Sequence, residues 1–197
     1  MNISDEQCLQ QVEAQMDRVF TLEDLRVLFR HHTDSGLYKL IQKLERQGSL
    51  VKMMRGIYAR PEADLKRVCQ RMLPEAYLSC GTALAKHLLI GSIPRKQVYA
   101  VRVGRPRTYQ TPLGRVHVFS IKPSLYFGFQ IEEGLRYADP EKAYLDAWYF
   151  RFKGARLSFD PSVDVAFADL NPHRLREYLS AYNARFVHYI NRNGGLG

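Results

Sequence analysis

Ser35, Tyr38, Lys39, Gln42, Lys43 and Arg46 recur at alternating intervals of three and one, which places all six on one arc of an α-helix. The opposite arc carries Leu37, Leu40, Ile41 and Leu44 at i, i+3, i+4 and i+7. Such a helix can bury its aliphatic face on a partner and offer the other as hydrogen-bond donors to base edges in the DNA major groove. Lys39 and Gln42 are the candidate base readers. Thr33 and Ser35, at the helix start, are placed to meet a phosphate with help from backbone N–H groups, and Lys43 and Arg46 to hold the DNA backbone. Lys52 and Arg55, in a hairpin just beyond, extend the candidate DNA-binding set to an adjacent groove or phosphate. A solvated surface helix has the same pattern, so the face counts only together with its neighbours.

A second basic group lies mid-chain. Arg102, Arg105, Arg107 and Arg115 are expected around a Gly- and Pro-rich turn in VYAVRVGRPRTYQTPLGRVHVF, as secondary phosphate contacts, with Tyr109 available to stack on a base. A charged edge hairpin that merely resists aggregation has the same composition.

Catalytic patterns are sparse. Asp139, Glu141 and Lys142 have the composition of the acid-plus-lysine metal sites of some nucleases, with Asp146 one turn further on. Adjacent positions at a helix start do not converge as carboxylates from separate strands do, and Asp139 is expected to cap that helix. His31, His32, His87, His117, His173 and His188 form no HExxH motif, and no Gly-rich loop cradles a phosphate. Cys8, Cys69 and Cys80 are odd in number and widely spaced, which suggests neither disulfides nor zinc. The expectation is a chain with no enzymatic activity, metal or cofactor.

The elements that position the helical face read as follows. Ser4-x-x-Gln7 has the capping-box spacing and opens a first helix to Met16; Thr21-x-x-Asp24 opens a second, ending near Arg30. Thr33 or Asp34 caps the third, and Gly48 stops it. Leu50–Met54 and Ile57–Arg60 form a hairpin around Arg55-Gly56. A helix over Glu62–Leu73 is expected to link this part to the rest. The remainder mixes a helix at Gly81–Leu89, strands at Gln97–Val103, Arg115–Ile121 and Leu125–Ile131, and helices opened by Asp139-Pro140 and Asn171-Pro172. The last of these is expected to run on as one stripe from Leu175 to Ile190 and dock on the sheet, with Asn193–Gly197 frayed. The fold class is therefore α+β: a winged helix-turn-helix over residues 1–60, a linker helix over 61–75 and a mixed domain over 76–197.

Charge points to a polyanionic partner. The 197 residues carry a formal net charge of +9, and the excess is mid-chain: 9 basic against 8 acidic residues over 1–60, 11 against 3 over 61–130, and 9 against 9 over 131–197. No apolar run is long enough to span a bilayer and no secretion signal is evident, so no membrane partner and a cytoplasmic location are expected.

FTLEDL followed by LYKLIQKLERQGSLVKMMRGIYARP resembles the N-terminal winged-helix domain of the AbiEi family of abortive-infection antitoxins. YLSCGTALAKHLLI and, later, RYADPEKAYLDAWYF resemble that family's C-terminal antitoxin domain. The resemblance implies the DNA-binding antitoxin of a type IV toxin–antitoxin system acting in phage defence. Such a protein represses its own operon at inverted repeats, as a possible dimer on double-stranded DNA, and opposes a nucleotidyltransferase-like toxin. Two other readings are a free-standing winged-helix transcriptional regulator whose second domain senses a ligand or partner, and a nuclease.

Overall fold

The computed structural model describes residues 5–91 and 96–194. The fold is mixed α+β, and the chain divides into two compact units: residues 1–74 with 110–115, and residues 75–109 with 116–197.

The first unit opens with α1 (Asp5–Val12), β1 (Val19–Thr21), α2 (Leu22–Leu28) and α3 (Asp34–Arg46). It continues with β2 (Val51–Met54), β3 (Ile57–Ala59) and α4 (Leu65–Met72). Ser4, expected to cap α1, lies outside the described residues. α1 stops at Val12, four residues short of the expected end; residues 13–18 continue as turns, and Asp17 and Arg18 take left-handed backbone (φ 53° and 60°) where the chain enters β1. β1 was not foreseen. It completes a three-stranded antiparallel sheet of order β1-β3-β2, in which Gly56 takes the φ of 78° that the β2–β3 turn demands.

Thr21 opens α2 with both halves of a capping box: its Oγ1 accepts from Asp24 N–H at 3.0 Å and its own N–H donates to Asp24 Oδ2 at 2.8 Å. Leu9, Phe20, Leu25, Phe29, Leu50 and Tyr58 form one buried cluster with the four aliphatic residues of α3. Burying each such side chain contributes roughly 1.5–3 kcal/mol, so α3 is held by the face opposite its polar one. The segment expected to be a linker helix contains α4, which packs on β1 and β3.

The second unit holds β4 (Tyr77–Leu78), α5 (Cys80–Lys86), β5 (Gln97–Val103), most of β6 (Arg107–Thr111) and β7 (Gly114–Ile121), whose residues 110–115 group with the first unit, and then β8 (Phe129–Glu132) and β9 (Leu135–Ala138). After these come α6 (Pro140–Phe152), α7 (Pro172–Leu179) and α8 (Ala184–Asn193). Its six strands run in the order β6-β7-β5-β4-β9-β8; β4 is antiparallel to β5 and parallel to β9, so the sheet is mixed. α6 is the central helix, with every residue from Glu141 to Phe150 buried, as expected of a helix that is apolar on most sides.

The stripe from Leu175 to Ile190 is two helices rather than one. Asn183 caps α8 by accepting from Phe186 N–H at 3.0 Å, and both helices pack on α6 rather than docking on the sheet. Asn193, expected to fray, is the last residue of α8, and its Nδ2 donates to the Tyr189 carbonyl at 2.7 Å. Residues 195–197 lie outside the described residues.

Candidate nucleic-acid interface

α3 is capped by Thr33, whose Oγ1 accepts from Gly36 N–H at 3.2 Å and lies 3.3 Å from Ser35 Oγ. The Thr33 hydroxyl is thus already engaged as the cap, and a phosphate here would meet Ser35 first. Gly48 follows the helix, and Ser49 N–H closes back on the Leu44 carbonyl at 2.9 Å. Between these ends Leu37, Leu40, Ile41 and Leu44 are buried, while Ser35, Tyr38, Lys39, Gln42, Lys43 and Arg46 are all exposed. Tyr38 keeps 46% of its surface in solvent, an unusual outlay of aromatic area on a helix that buries its other apolar side chains.

The donors on this face are only lightly committed. Arg46 Nε donates to the Gln42 carbonyl at 3.3 Å, and Lys43 Nζ lies 3.8 Å from Asp5 Oδ2. Two acids bound the face: Asp34, paired with Arg26 at 3.4 Å, and Glu45, half-buried between Gln42 and Arg46. In the following hairpin Lys52 and Arg55 are exposed, and Lys52 stands opposite Tyr58 across the β2–β3 ladder.

The mid-chain arginines are not grouped around one turn. Arg105 and Arg107 lie at the β5–β6 end of β6, and Arg115 lies at its β6–β7 end. Five residues of strand, at about 3.4 Å each, separate the two ends by roughly 17 Å. Arg102 differs from the rest. It sits on β5 with 22% of its side chain exposed and donates to Glu75 Oε1 at 2.7 Å, so it is an internal ion pair rather than a free phosphate contact. That bond, working against burial, holds the Glu75 carboxyl below its ordinary range. Arg105, Arg107 and Arg115 are exposed and, among the described residues, make no ion pair. The Arg107 guanidinium lies 5.0 Å from the Tyr109 ring centroid, so it already covers a face on which a base would stack.

The nuclease-like group of Asp139, Glu141, Lys142 and Asp146 has other partners. Asp139 occupies the N-cap position of α6, but its side chain makes no capping bond; Oδ2 instead accepts from Tyr178 OH at 2.6 Å, tying α7 to the start of α6. Glu141 Oε1 accepts from Asn171 N–H at 2.8 Å. Lys142 turns inward and donates to Asp146, one turn on, and to Tyr182 OH at 3.2 Å. Asp146 Oδ2 accepts from Tyr77 OH at 2.9 Å and Ser79 Oγ at 2.7 Å. Gly128, at φ 69°, lets the chain pass this cluster, since a Cβ there would stand 3.1 Å from Lys142 and 3.0 Å from Tyr178.

Sequence reasoning missed this knot of polar residues because its members come from β4, α6 and the segment before α8. Burial, reinforced by the Asp146 charge, raises the Tyr77, Tyr182 and Cys80 side chains well above their ordinary ranges. Lys142 and Asp146 have no exposed surface, so the cluster holds helices and strand together and offers nothing for a substrate to reach.

No protein family and no curated protein matches the chain by sequence. Among solved structures it is similar to the RV2827C protein from Mycobacterium tuberculosis at 19% identity, over 95% of this chain and 77% of that one, with a TM-score of 0.59. That likeness concerns the fold. Among the described residues, no helix is long and apolar enough to cross a membrane.

Proposed function

We propose that the chain is a DNA-binding antitoxin that represses its own operon, with α1–α3 and the β2–β3 hairpin acting as a winged helix-turn-helix. The observation that carries the reading is the sorting of α3: four aliphatic residues locked in the core and six polar or basic ones exposed on the other side. The β2–β3 hairpin, with Lys52 and Arg55 exposed, supplies the wing. In this arrangement Lys39 and Gln42 read bases, and Ser35, Lys43 and Arg46 hold phosphates. Two copies of the module would meet paired half-sites about 34 Å apart. The antitoxin role rests on the resemblance to the AbiEi family.

The test is binding of the full chain to the DNA upstream of its own gene. Each good base contact is worth about 1–3 kcal/mol, so the double variant Lys39→Ala, Gln42→Ala, which removes two, should bind its operator at least about thirtyfold more weakly and lose preference over scrambled DNA. Equal affinity and equal preference would remove α3 as the reader. For the antitoxin role, the full chain should restore growth to cells expressing a nucleotidyltransferase-like toxin encoded beside it; no rescue refutes that part.

A further inference from the structure

His31 and His32 form the turn between α2 and α3, and Asp5 opens α1. Folding brings one donor atom from each of the three within 4.8 Å of the other two. The two imidazole rings lie 4.4 Å apart between centroids, inclined at 43°. His32 Nε2 is buried and has no hydrogen-bond partner, which is unusual because buried polar atoms ordinarily find one. His31 is exposed and Asp5 half-buried, so both have room to adjust.

Two imidazoles and one carboxylate converging on a point are a donor set for a borderline divalent ion, Zn²⁺ above all, with Co²⁺ and Ni²⁺ as close substitutes. Ligands about 2.1 Å from a tetrahedral ion stand about 3.4 Å from one another, so the trio needs only a contraction of its side chains. Three protein ligands leave a fourth position for water.

We propose that Asp5, His31 and His32 form a site for a divalent transition-metal ion that ties the start of α1 to the turn leading into α3. Asp5 now faces Lys43 at 3.8 Å, and Lys43 is one of the basic residues of the exposed α3 face. A metal on Asp5 competes with that ion pair and releases Lys43 toward solvent. This coupling, unlike the metal site itself, rests on α3 being the DNA-reading helix; metal then tightens DNA binding.

The experiment uses the full chain, tag-free and stripped of metal with a chelator, titrated calorimetrically with zinc chloride in the absence of DNA. One saturable site per chain is expected. His31→Ala, whose side chain lies outside the core, should weaken it more than about tenfold, as should Asp5→Asn and His32→Ala, since loss of even an outer-shell partner commonly costs that much. Circular dichroism confirms that each variant is folded. Cobalt loading should give a d–d spectrum without a thiolate charge-transfer band, which separates this site from one built on Cys8 of the same helix. No saturable binding by the wild type, undiminished binding by folded His31→Ala, or a thiolate band overturns the site. Promoter binding with and without zinc then reads the coupling: a gain for the wild type and none for His31→Ala is expected, and equal affinity with and without zinc overturns it. Because the titration contains no DNA, failure of the metal site and failure of the DNA-reading assignment are distinguishable.

Discussion

Asp146 is a carboxylate with no access to water, and it accepts from Lys142, Tyr77 and Ser79. The ring faces of Tyr77, Phe127 and Tyr182 lie within 5.3–5.8 Å of the Lys142 ammonium, so the cation too is enclosed. A buried ion pair gains little net energy from its own attraction, but removing one member strands the other. Lys142→Met should therefore lower unfolding free energy by about 3–5 kcal/mol in a denaturant titration. Adding Asp146→Leu should recover only part of this, because Tyr77 OH and Ser79 Oγ would then be unpaired donors at about 1–3 kcal/mol each. Full recovery in the double variant would show that those two hydroxyls find other partners. Cys80, next to this cluster, sits at a left-handed φ of 48° where a strand turns into a helix, the kind of strained turn on which hydrolases carry a nucleophile. Its complete burial and raised thiol argue for packing instead.

The start of α2 shows how a local sequence signal acquires a distant partner. Thr21 and Asp24 cap the helix between themselves, and Arg71 of α4 donates to the same Asp24 carboxylate. Burial acts to raise the Asp24 carboxyl, but the Thr21 N–H, the Thr21 hydroxyl and Arg71 together bring it below its ordinary range. A depressed acid stabilises the fold above its unfolded value of about 3.9, and that contribution disappears as the pH falls through the lower folded value. Asp24→Asn should thus cost about 1 kcal/mol near neutrality, and the stabilities of wild type and variant should converge in urea titrations as the pH drops below about 4. A gap that persists at low pH would assign the loss to packing. The Thr21-x-x-Asp24 spacing was legible in the sequence, and so were α3, the β2–β3 hairpin and β5, whose hydrophobic period or turn residues lie within the element. β1, β4 and β9 were not: two to four residues long, they are strands only because of what they pair with. The break between α7 and α8 was hidden because Leu175, Tyr182 and Ile190 continue one apolar stripe across it. For the candidate site, the exposed face of α3 could be read from its own spacing. The pairing of Arg102 with Glu75, and of Asp5 with two histidines, needed the fold.

Across the whole molecule, net charge is a poor guide to what a polyanion would meet. Of the basic excess in residues 61–130, Lys66 is matched by Asp64, Arg67 by Asp17, Arg71 by Asp24, Lys86 by Glu132 and Arg102 by Glu75. Exposed pairs of this kind contribute little to stability, but each leaves less positive charge for a partner. Among the described residues of this stretch, Lys96, Arg105, Arg107, Arg115 and Lys122 are exposed and in no ion pair, alongside the exposed cations of α3 and its hairpin. Division of labour follows if the chain binds DNA: Lys39 and Gln42 select the sequence, and the hairpin arginines add affinity that ignores sequence and falls with salt. Each phosphate neutralised contributes about 0.9 to the slope of log K against log salt. Replacing Arg105, Arg107 and Arg115 by Ala should therefore flatten that slope by up to about 2.7 while leaving the preference for operator over scrambled DNA unchanged. Arg102→Ala, already paired, should leave the slope as it is. The same slope in the triple variant would place the salt-dependent contacts on α3 and its hairpin alone, and a changed slope in Arg102→Ala would mean that Glu75 gives up its partner when DNA arrives.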